Sequence, residues 1–191
     1  MKGKIITITG PSGSGKTTIA NFFNANFGEK LVSFTTRKPR ESEIDGEDYY
    51  FITKEQALEL KKDCIEYTIY NDNYYGYLRN EFDEKSKDSK NVLAVVDVNG
   101  FKAFNSEFEQ EIIPIFLIPT YNKIKENLEN RNDPKEDIDA RLSLYDKEIE
   151  NIKAISKQNP NSILWKIGDE DDIDDLYITF SLLISDLIGD K

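Results

Sequence analysis

The chain has 191 residues, 38% hydrophobic and 32% charged, which suits one domain with a proper core and an inserted lobe or lid. A net charge of −11 excludes an extended nucleic-acid face, which needs a basic surface, and the absence of histidine removes the usual general base and metal ligand. The lone Cys64 excludes an internal disulfide and fits a reducing cytoplasm, and the first apolar run is far too short to be a signal or membrane segment.

In chain order, Ile5-Ile-Thr-Ile-Thr9 is a β-branched strand that runs directly into Gly10-Pro-Ser-Gly-Ser-Gly15-Lys16-Thr17. That run fits the spacing G-x-x-x-x-G-K-[ST] in the strand-to-helix context the motif requires. Backbone N–H groups across Ser12, Gly13, Ser14 and Gly15 are expected to point at phosphate oxygens, and a helix opening at Lys16 brings its positive end to the same place. Lys16 then reaches the β- and γ-phosphates, the Thr17 hydroxyl coordinates Mg²⁺, and Thr18 completes the first helical turn of the site. The stretch predicts a site for a nucleoside triphosphate.

Ile19, Phe22, Phe23 and Phe27 repeat at helical spacing as a core stripe, and Gly28 is a C-terminal stop. A polar, Arg-containing stretch follows Leu31-Val32, and residues 49–52 read as a strand. Thr53 with Gln56 forms a capping box that opens a helix to about Lys62. Residues 65–70 read as a strand, residues 71–73 as a turn, and residues 80–89 as a charged helix. Val92-Leu-Ala-Val-Val-Asp97 is a continuous apolar run, hence a central parallel strand that ends in a carboxylate beside the triphosphate or its Mg²⁺. Residues 112–118 form another buried strand, with Pro114 predicting an edge or a strand start. Pro119-Thr120 precedes a helix expected to about Asn130, Asp133-Pro134 caps another running past Glu150, and then come a strand over 162–167 containing a core Trp165 and a last helix over 171–188. The acidic run 169–175 reads as a helix N-terminus complementing the dipole. The tyrosines between 67 and 77 lack the basic interleaving of a nucleic-acid platform. The pattern predicts an α/β fold with ligands at the carboxyl ends of parallel strands.

Ser33-Phe-Thr-Thr-Arg37-Lys-Pro-Arg40-Glu-Ser-Glu43-Ile-Asp-Gly46-Glu-Asp48-Tyr49-Tyr-Phe51 places two arginines three apart beside a rigid proline. Two planar guanidinium groups and a tyrosine hydroxyl make a monophosphate clamp. The stretch resembles the guanylate kinase signature, a Ser and then T-T-R-x-P-R-x-x-E-x-x-G-x-D-Y-x-F, at every fixed position. Ile65-Glu66 and Asn73-Tyr74-Tyr75-Gly76 resemble the family's base-reading segment, and Asp97 with Asn99-Gly100 its D-x-D-x-x-G strand end. The likeness spans nearly the whole chain and is loosest after about Gln158.

The resemblance implies a P-loop kinase fold: a parallel central sheet flanked by helices, an inserted GMP-binding lobe and a helical lid. It divides one domain, 1–191, into a core (1–33 and 91–191), a lobe of about 34–90 and a lid of about 127–141. Carried over, Lys16 and Thr17 hold ATP and its Mg²⁺, and Arg37, Arg40, Tyr49 and Tyr75 clamp the acceptor phosphate. Ser33 and Glu66 read the base, Glu43 and Asp97 support arginine orientation and the acceptor site, and Arg131 and Arg141 neutralise the transferring phosphoryl. The activity implied is ATP-dependent phosphorylation of GMP, and of dGMP, by direct Mg²⁺-assisted transfer. Four positions depart from the family: Tyr77 stands where a Ser or Thr donates to guanine O6, Asn127 where the first lid arginine belongs, Val95 for an Asp, and residues 168–171 for Asn-Asp-Asp. Tyr77 leaves open a kinase of the same build with a drifted acceptor, and a non-catalytic binding module is a third reading. Oligomeric state is not encoded in these patterns.

Overall fold

A computed structural model describes residues 3–40, 43–70, 72–131 and 133–188. The chain opens with strand β1 (Ile5–Thr9), helix α1 (Lys16–Asn26) and a short strand β2 (Glu29–Lys30). It then builds β3 (Phe34–Thr35), β4 (Tyr50–Phe51), α2 (Lys54–Leu60), β5 (Cys64–Tyr70), β6 (Asn73–Leu78) and α3 (Arg79–Lys85). The rest runs through β7 (Val92–Val95), α4 (Val98–Phe108), β8 (Ile112–Pro119), α5 (Tyr121–Asn130), α6 (Lys135–Ser143), α7 (Tyr145–Gln158), β9 (Ile163–Ile167) and α8 (Ile173–Ile188).

Five strands make a parallel sheet in the order β2-β7-β1-β8-β9, and four make a second sheet in the order β4-β3-β6-β5. Because successive strand residues face opposite sides, Ile5 and Ile6 enter different cores. Ile5, Val92, Ala94, Ile112 and Phe116 pack against Phe101 and Phe104 of α4 and Ile152 and Ile155 of α7. Ile6, Ile8, Leu93, Ile115 and Leu117 pack against Ile19 and Phe23 of α1 and Phe180 and Ile184 of α8. Trp165 is buried on that second face, stacked on Phe180 with ring centroids 6.1 Å apart. Both faces of the sheet are thus covered, as all-parallel strands require. Among the described residues no helix is long and apolar enough to cross a membrane.

Several expectations change in detail. Pro114 is not on an edge strand, since β8 lies between β1 and β9. It pairs with Thr7 on one flank, but β9 begins pairing only at Ile115, so the other flank is open at the proline. The helix expected from Pro134 past Glu150 breaks at Leu144 into α6 and α7. The charged helix stops at Lys85 rather than Ser89: Ser86 caps it, and residues 87–89 form a separate 3-10 turn in which Asp88 (φ 57°) and Ser89 (φ 60°) are left-handed. The strand over 49–52 is confined to Tyr50–Phe51, and β2 and β3 are two-residue strands that no periodicity announces. Asn71 of the predicted turn lies outside the described residues; its neighbours Tyr70 and Asn73 pair across it. The capping box on α2 forms, with Thr53 and Gln56 each accepting from the other's backbone N–H.

Gly28 does follow α1, but its φ is not left-handed. A methyl group there would stand 2.3 Å from the Asn91 carbonyl oxygen and 2.8 Å from the Phe23 ring. That oxygen is held by the Glu29 N–H at 2.9 Å, so the backbone has no room to yield. Gly28→Ala is expected to destabilise the fold by about 1–3 kcal/mol, as overpacking does. A thermal melt should show a midpoint lowered by roughly 2–4 °C per kcal/mol.

Candidate functional site

The loop between β1 and α1 turns on two glycines in left-handed conformations, Gly13 (φ 84°) and Gly15 (φ 87°), which side-chain-bearing residues adopt only with strain. Gly15 is also the N-cap of α1, so Lys16, Thr17 and Thr18 form its first turn. Thr17 is exposed, Thr18 is half-buried, and the Ser14 hydroxyl is buried with no partner. Lys16 folds back on the loop, its Nζ donating to the carbonyls of Gly10 and Pro11 at 2.7 Å each.

The α5–α6 region closes over this loop. Asn127 of α5 donates from Nδ2 to the Gly13 carbonyl at 2.8 Å. Arg141, in the last turn of α6, donates to the Ser12 hydroxyl at 2.9 Å and to Asp133 at 2.9 Å. Asp133 also receives Arg131, through its Nε at 2.8 Å and through a terminal nitrogen. Hydrogen bonding from Arg131 holds the Asp133 carboxyl below the ordinary range. Both arginines expected of the lid therefore share one carboxylate.

A second cluster gathers at the start of the second sheet. Arg37 makes a bidentate pair with Glu43, at 2.6 and 2.5 Å, and lies 5.0 Å from the Tyr49 ring centroid and 5.9 Å from that of Phe51. Glu43 also accepts the Arg40 backbone N–H at 2.8 Å, while the Arg40 guanidinium stands 3.5 Å away. Burial alone would raise the Glu43 carboxyl, but the Arg37 and Arg40 hydrogen bonds outweigh it and keep it below its usual value. Tyr75 packs edge-on against Tyr49, ring centroids 6.2 Å apart.

A third group lies between the sheets. Glu66 of β5 is buried, with 8% of its surface exposed. Burial, aided by the charge of Asp97, pushes its carboxyl up to about 8. Asp97 is exposed and caps α4, accepting the Gly100 N–H at 2.7 Å. Burial pushes the Tyr77 phenol up, and the half-buried Ser33 nearby acts weakly in the opposite direction. The hydroxyl of Tyr77 itself is turned to strand β7, donating to the Val95 carbonyl at 2.7 Å and accepting the Val95 N–H at 3.1 Å.

The three groups feel one another. Burial lowers the Lys16 ammonium to about 8, with Glu148 acting upward and Arg131 and Arg141 downward. The Arg40 guanidinium is disfavoured by burial, then by Arg37 and by Arg131. Two cationic clusters, from the glycine-rich loop with α5–α6 and from the β3–β4 segment, thus lie within electrostatic reach of each other, and the charge of Asp97 acts on both Lys16 and the buried Glu66.

Over residues 2–177 the sequence matches the family model described as guanylate kinase. The chain belongs to the guanylate kinase family. A guanylate kinase from Fusobacterium nucleatum is 36% identical over 152 residues, spanning 78% of this chain and 82% of that protein. One from Lactobacillus delbrueckii subsp. bulgaricus is 35% identical over 155 residues, spanning 78% and 76%. The crystal structure of guanylate kinase from Anaplasma phagocytophilum superposes with a TM-score of 0.74 at 25% identity, covering 100% of this chain and 88% of that one. Membership makes the chain a nucleoside monophosphate kinase.

Three residues of this guanylate kinase site escape sequence reasoning. Asp133 reads as a helix start, yet it gathers Arg131 and Arg141. Asn127 reads only as a missing arginine, yet it braces Gly13. Glu148 of α7 is the foremost charge acting on Lys16, and the half-buried Glu148 carboxyl is itself raised by burial, against the opposing pull of Lys16. The acidic run 169–175 resolves into local caps: Asp172 accepts the N–H groups of Asp174 and Asp175, and Asp169 accepts Thr120 and Asn122.

The raised Glu66 carboxyl carries a stability consequence. Its folded value, about 8, lies above the ordinary 4.5, so the fold disfavours the ionised form. The cost is absent below the ordinary carboxylate range, grows as pH rises, and is complete above about 8. Glu66→Gln removes it, so the variant should melt close to the parent at pH 5 and above it at pH 9. A gain of about 1–3 kcal/mol in the alkaline melts is the expected size.

Proposed function

We propose that the chain transfers the γ-phosphoryl group of ATP to GMP, and to dGMP, giving ADP and the nucleoside diphosphate. The observation that carries this reading is the pairing of two anion-binding clusters in one electrostatic site: Lys16 with Arg131 and Arg141, and Arg37 with Arg40. One cluster suits a triphosphate and the other a monophosphate.

In this reading the backbone N–H groups of residues 12–18 and the Lys16 ammonium take the β- and γ-phosphates of ATP. Lys16 leaves the Gly10 and Pro11 carbonyls to do so. Arg37, Arg40, Tyr49 and Tyr75 take the acceptor phosphate, with Glu43 holding Arg37 in its fork geometry. An oxygen of that phosphate forms a bond to the γ-phosphorus as the bond to the bridging oxygen of ADP breaks. The nucleophile is already anionic, so no histidine is needed. Arg131 and Arg141 stabilise the charge on the transferring group, and closure of the α5–α6 region excludes water.

Among the described residues no three acidic, Cys or His groups converge to hold a metal ion. The Thr17 hydroxyl, at the mouth of the loop, fits an ion whose other ligands are the triphosphate's own oxygens. Mg²⁺ bound there would neutralise phosphate charge.

Glu66, in its ionised form, accepts the N1–H and the exocyclic amine of guanine, two donors that adenine does not present, and Ser33 joins it in reading the base. Asp97 flanks the acceptor site. A second reading, the same kinase with a drifted acceptor, draws on Tyr77, whose hydroxyl is committed to Val95 and not to a base. A non-catalytic module is disfavoured by the intact loop from Gly10 to Thr17.

A coupled assay of ADP release with ATP and Mg²⁺ should give turnover with GMP and dGMP well above IMP and AMP. Lys16→Ala should lower kcat by about 10²-fold or more, the scale of a lost transition-state donor. Turnover concentrated on another acceptor would favour the drifted kinase. Calorimetric titration with GMP adds a pH test. Since Glu66 binds as the carboxylate and ionises near 8 in the free protein, GMP affinity should rise several-fold from pH 7 to 8.5. Glu66→Gln should bind GMP weakly at both.

A further inference from the structure

Strand β2 pairs with β7 only at Val92 and Leu93, after which the chain departs toward the second sheet. On its other flank β7 continues alongside β1, with Val95 opposite Ile8 and the Val96 N–H on the Ile8 carbonyl. The N–H and C=O of one residue in a parallel strand point to the same side. Those of Val95 therefore face the flank β2 has abandoned, where they would be left unpaired in the protein interior.

The Tyr77 hydroxyl takes both, donating to the carbonyl at 2.7 Å and accepting the N–H at 3.1 Å. It acts as a one-atom substitute for the missing strand. Tyr77 is 4% exposed, and its ring stands edge-on to Phe104 of α4 at 5.5 Å. It belongs to β6, where it lies in register with Glu66 of β5. A methyl group on Gly100 would lie 3.4 Å from Glu66 Cγ, so the first turn of α4, which Asp97 caps, abuts the same carboxyl. The contacts close a ring: Val95 to Tyr77, Tyr77 to Glu66 across the strand pair, Glu66 to Gly100, and Gly100 to Asp97, two residues beyond Val95.

We propose that Tyr77 is a positioning residue for acceptor binding, its hydroxyl pinning the second sheet to the open flank of β7 and so fixing Glu66 relative to Asp97. The proposal rests on the reading of Glu66 as the base-reading group. It assigns a purpose to the pairing of Tyr77 with Val95, two of the positions at which this chain departs from its family. The hydrogen bonds of the pin run between β6 and β7 and, among the described residues, involve neither the glycine-rich loop nor α5–α6.

The test is Tyr77→Phe, followed by calorimetric titration with GMP, by kcat and both KM values, and by thermal melting. The expected result is a GMP Kd and KM raised about tenfold, the scale of one lost buried hydrogen bond, with kcat and the KM for ATP within about twofold. A lower melting temperature with GMP affinity unchanged overturns the proposal, because the hydroxyl then serves stability alone. Glu66→Gln, titrated in parallel, separates the two readings. Unchanged GMP affinity in Glu66→Gln overturns base reading by Glu66, whereas weakened binding there beside full affinity in Tyr77→Phe overturns the role of Tyr77 alone. Should Tyr77→Phe fail to fold, amide exchange in the parent protein decides. Slow exchange of the Val95 N–H before GMP is added supports a standing pin, and rapid exchange in the free protein overturns it.

Discussion

A protein with a net charge of −11 that binds phosphate must concentrate cations in one place and keep them from repelling one another. Every part of the site reflects that constraint. Arg37 is neutralised by Glu43 in a two-point fork, Arg131 and Arg141 share Asp133, and Lys16 is solvated by its own loop carbonyls with the charge of Glu148 nearby. The carboxylates do more than balance charge. A fork holds a guanidinium plane in one orientation, so a ligand meets donors already aimed.

The fold supplies the convergence. Parallel strands deliver β1 and β7 to one end of the central sheet, where the glycine-rich loop and Asp97 emerge side by side. The second sheet carries Glu66 and Tyr75 toward the same end, and α5 and α6 close the opposite wall over the loop. Each cluster comes from short-range geometry within one segment, but their mutual electrostatic influence exists only because the sheet order sets them together.

Where the chain departs from its family, local repair is visible. Asn127 cannot supply positive charge, and its amide instead fixes the Gly13 carbonyl. Val95 has no carboxylate, and its backbone is capped by the phenol of Tyr77. Around it, Gly76 leaves room for the Phe34 ring and the Glu66 carbonyl, and Gly100 for Val96 and the Glu66 side chain. These compensations keep the interior polar groups satisfied in a low dielectric, where an orphaned one is costly.

The glycine-rich loop, the Phe22–Phe27 stripe, the α2 capping box and the Arg37–Phe51 signature were all legible in the sequence. Each rests on short-range physics: a φ only glycine adopts easily, a 3.6-residue period, or a side chain reaching three residues along. Less was legible of strands such as β2 and β3, two residues each, which exist only because a neighbouring strand pairs with them. The break at Leu144 and the internal position of Pro114 were likewise beyond any local pattern. Tertiary structure alone decided that Asp133 would meet two arginines, that Tyr77 would turn to a peptide 18 residues away, and that Glu66 would be buried deeply enough to hold its proton near neutrality. Those outcomes depend on distances across the chain and on the exclusion of water, and neither is a property of residue order within a segment.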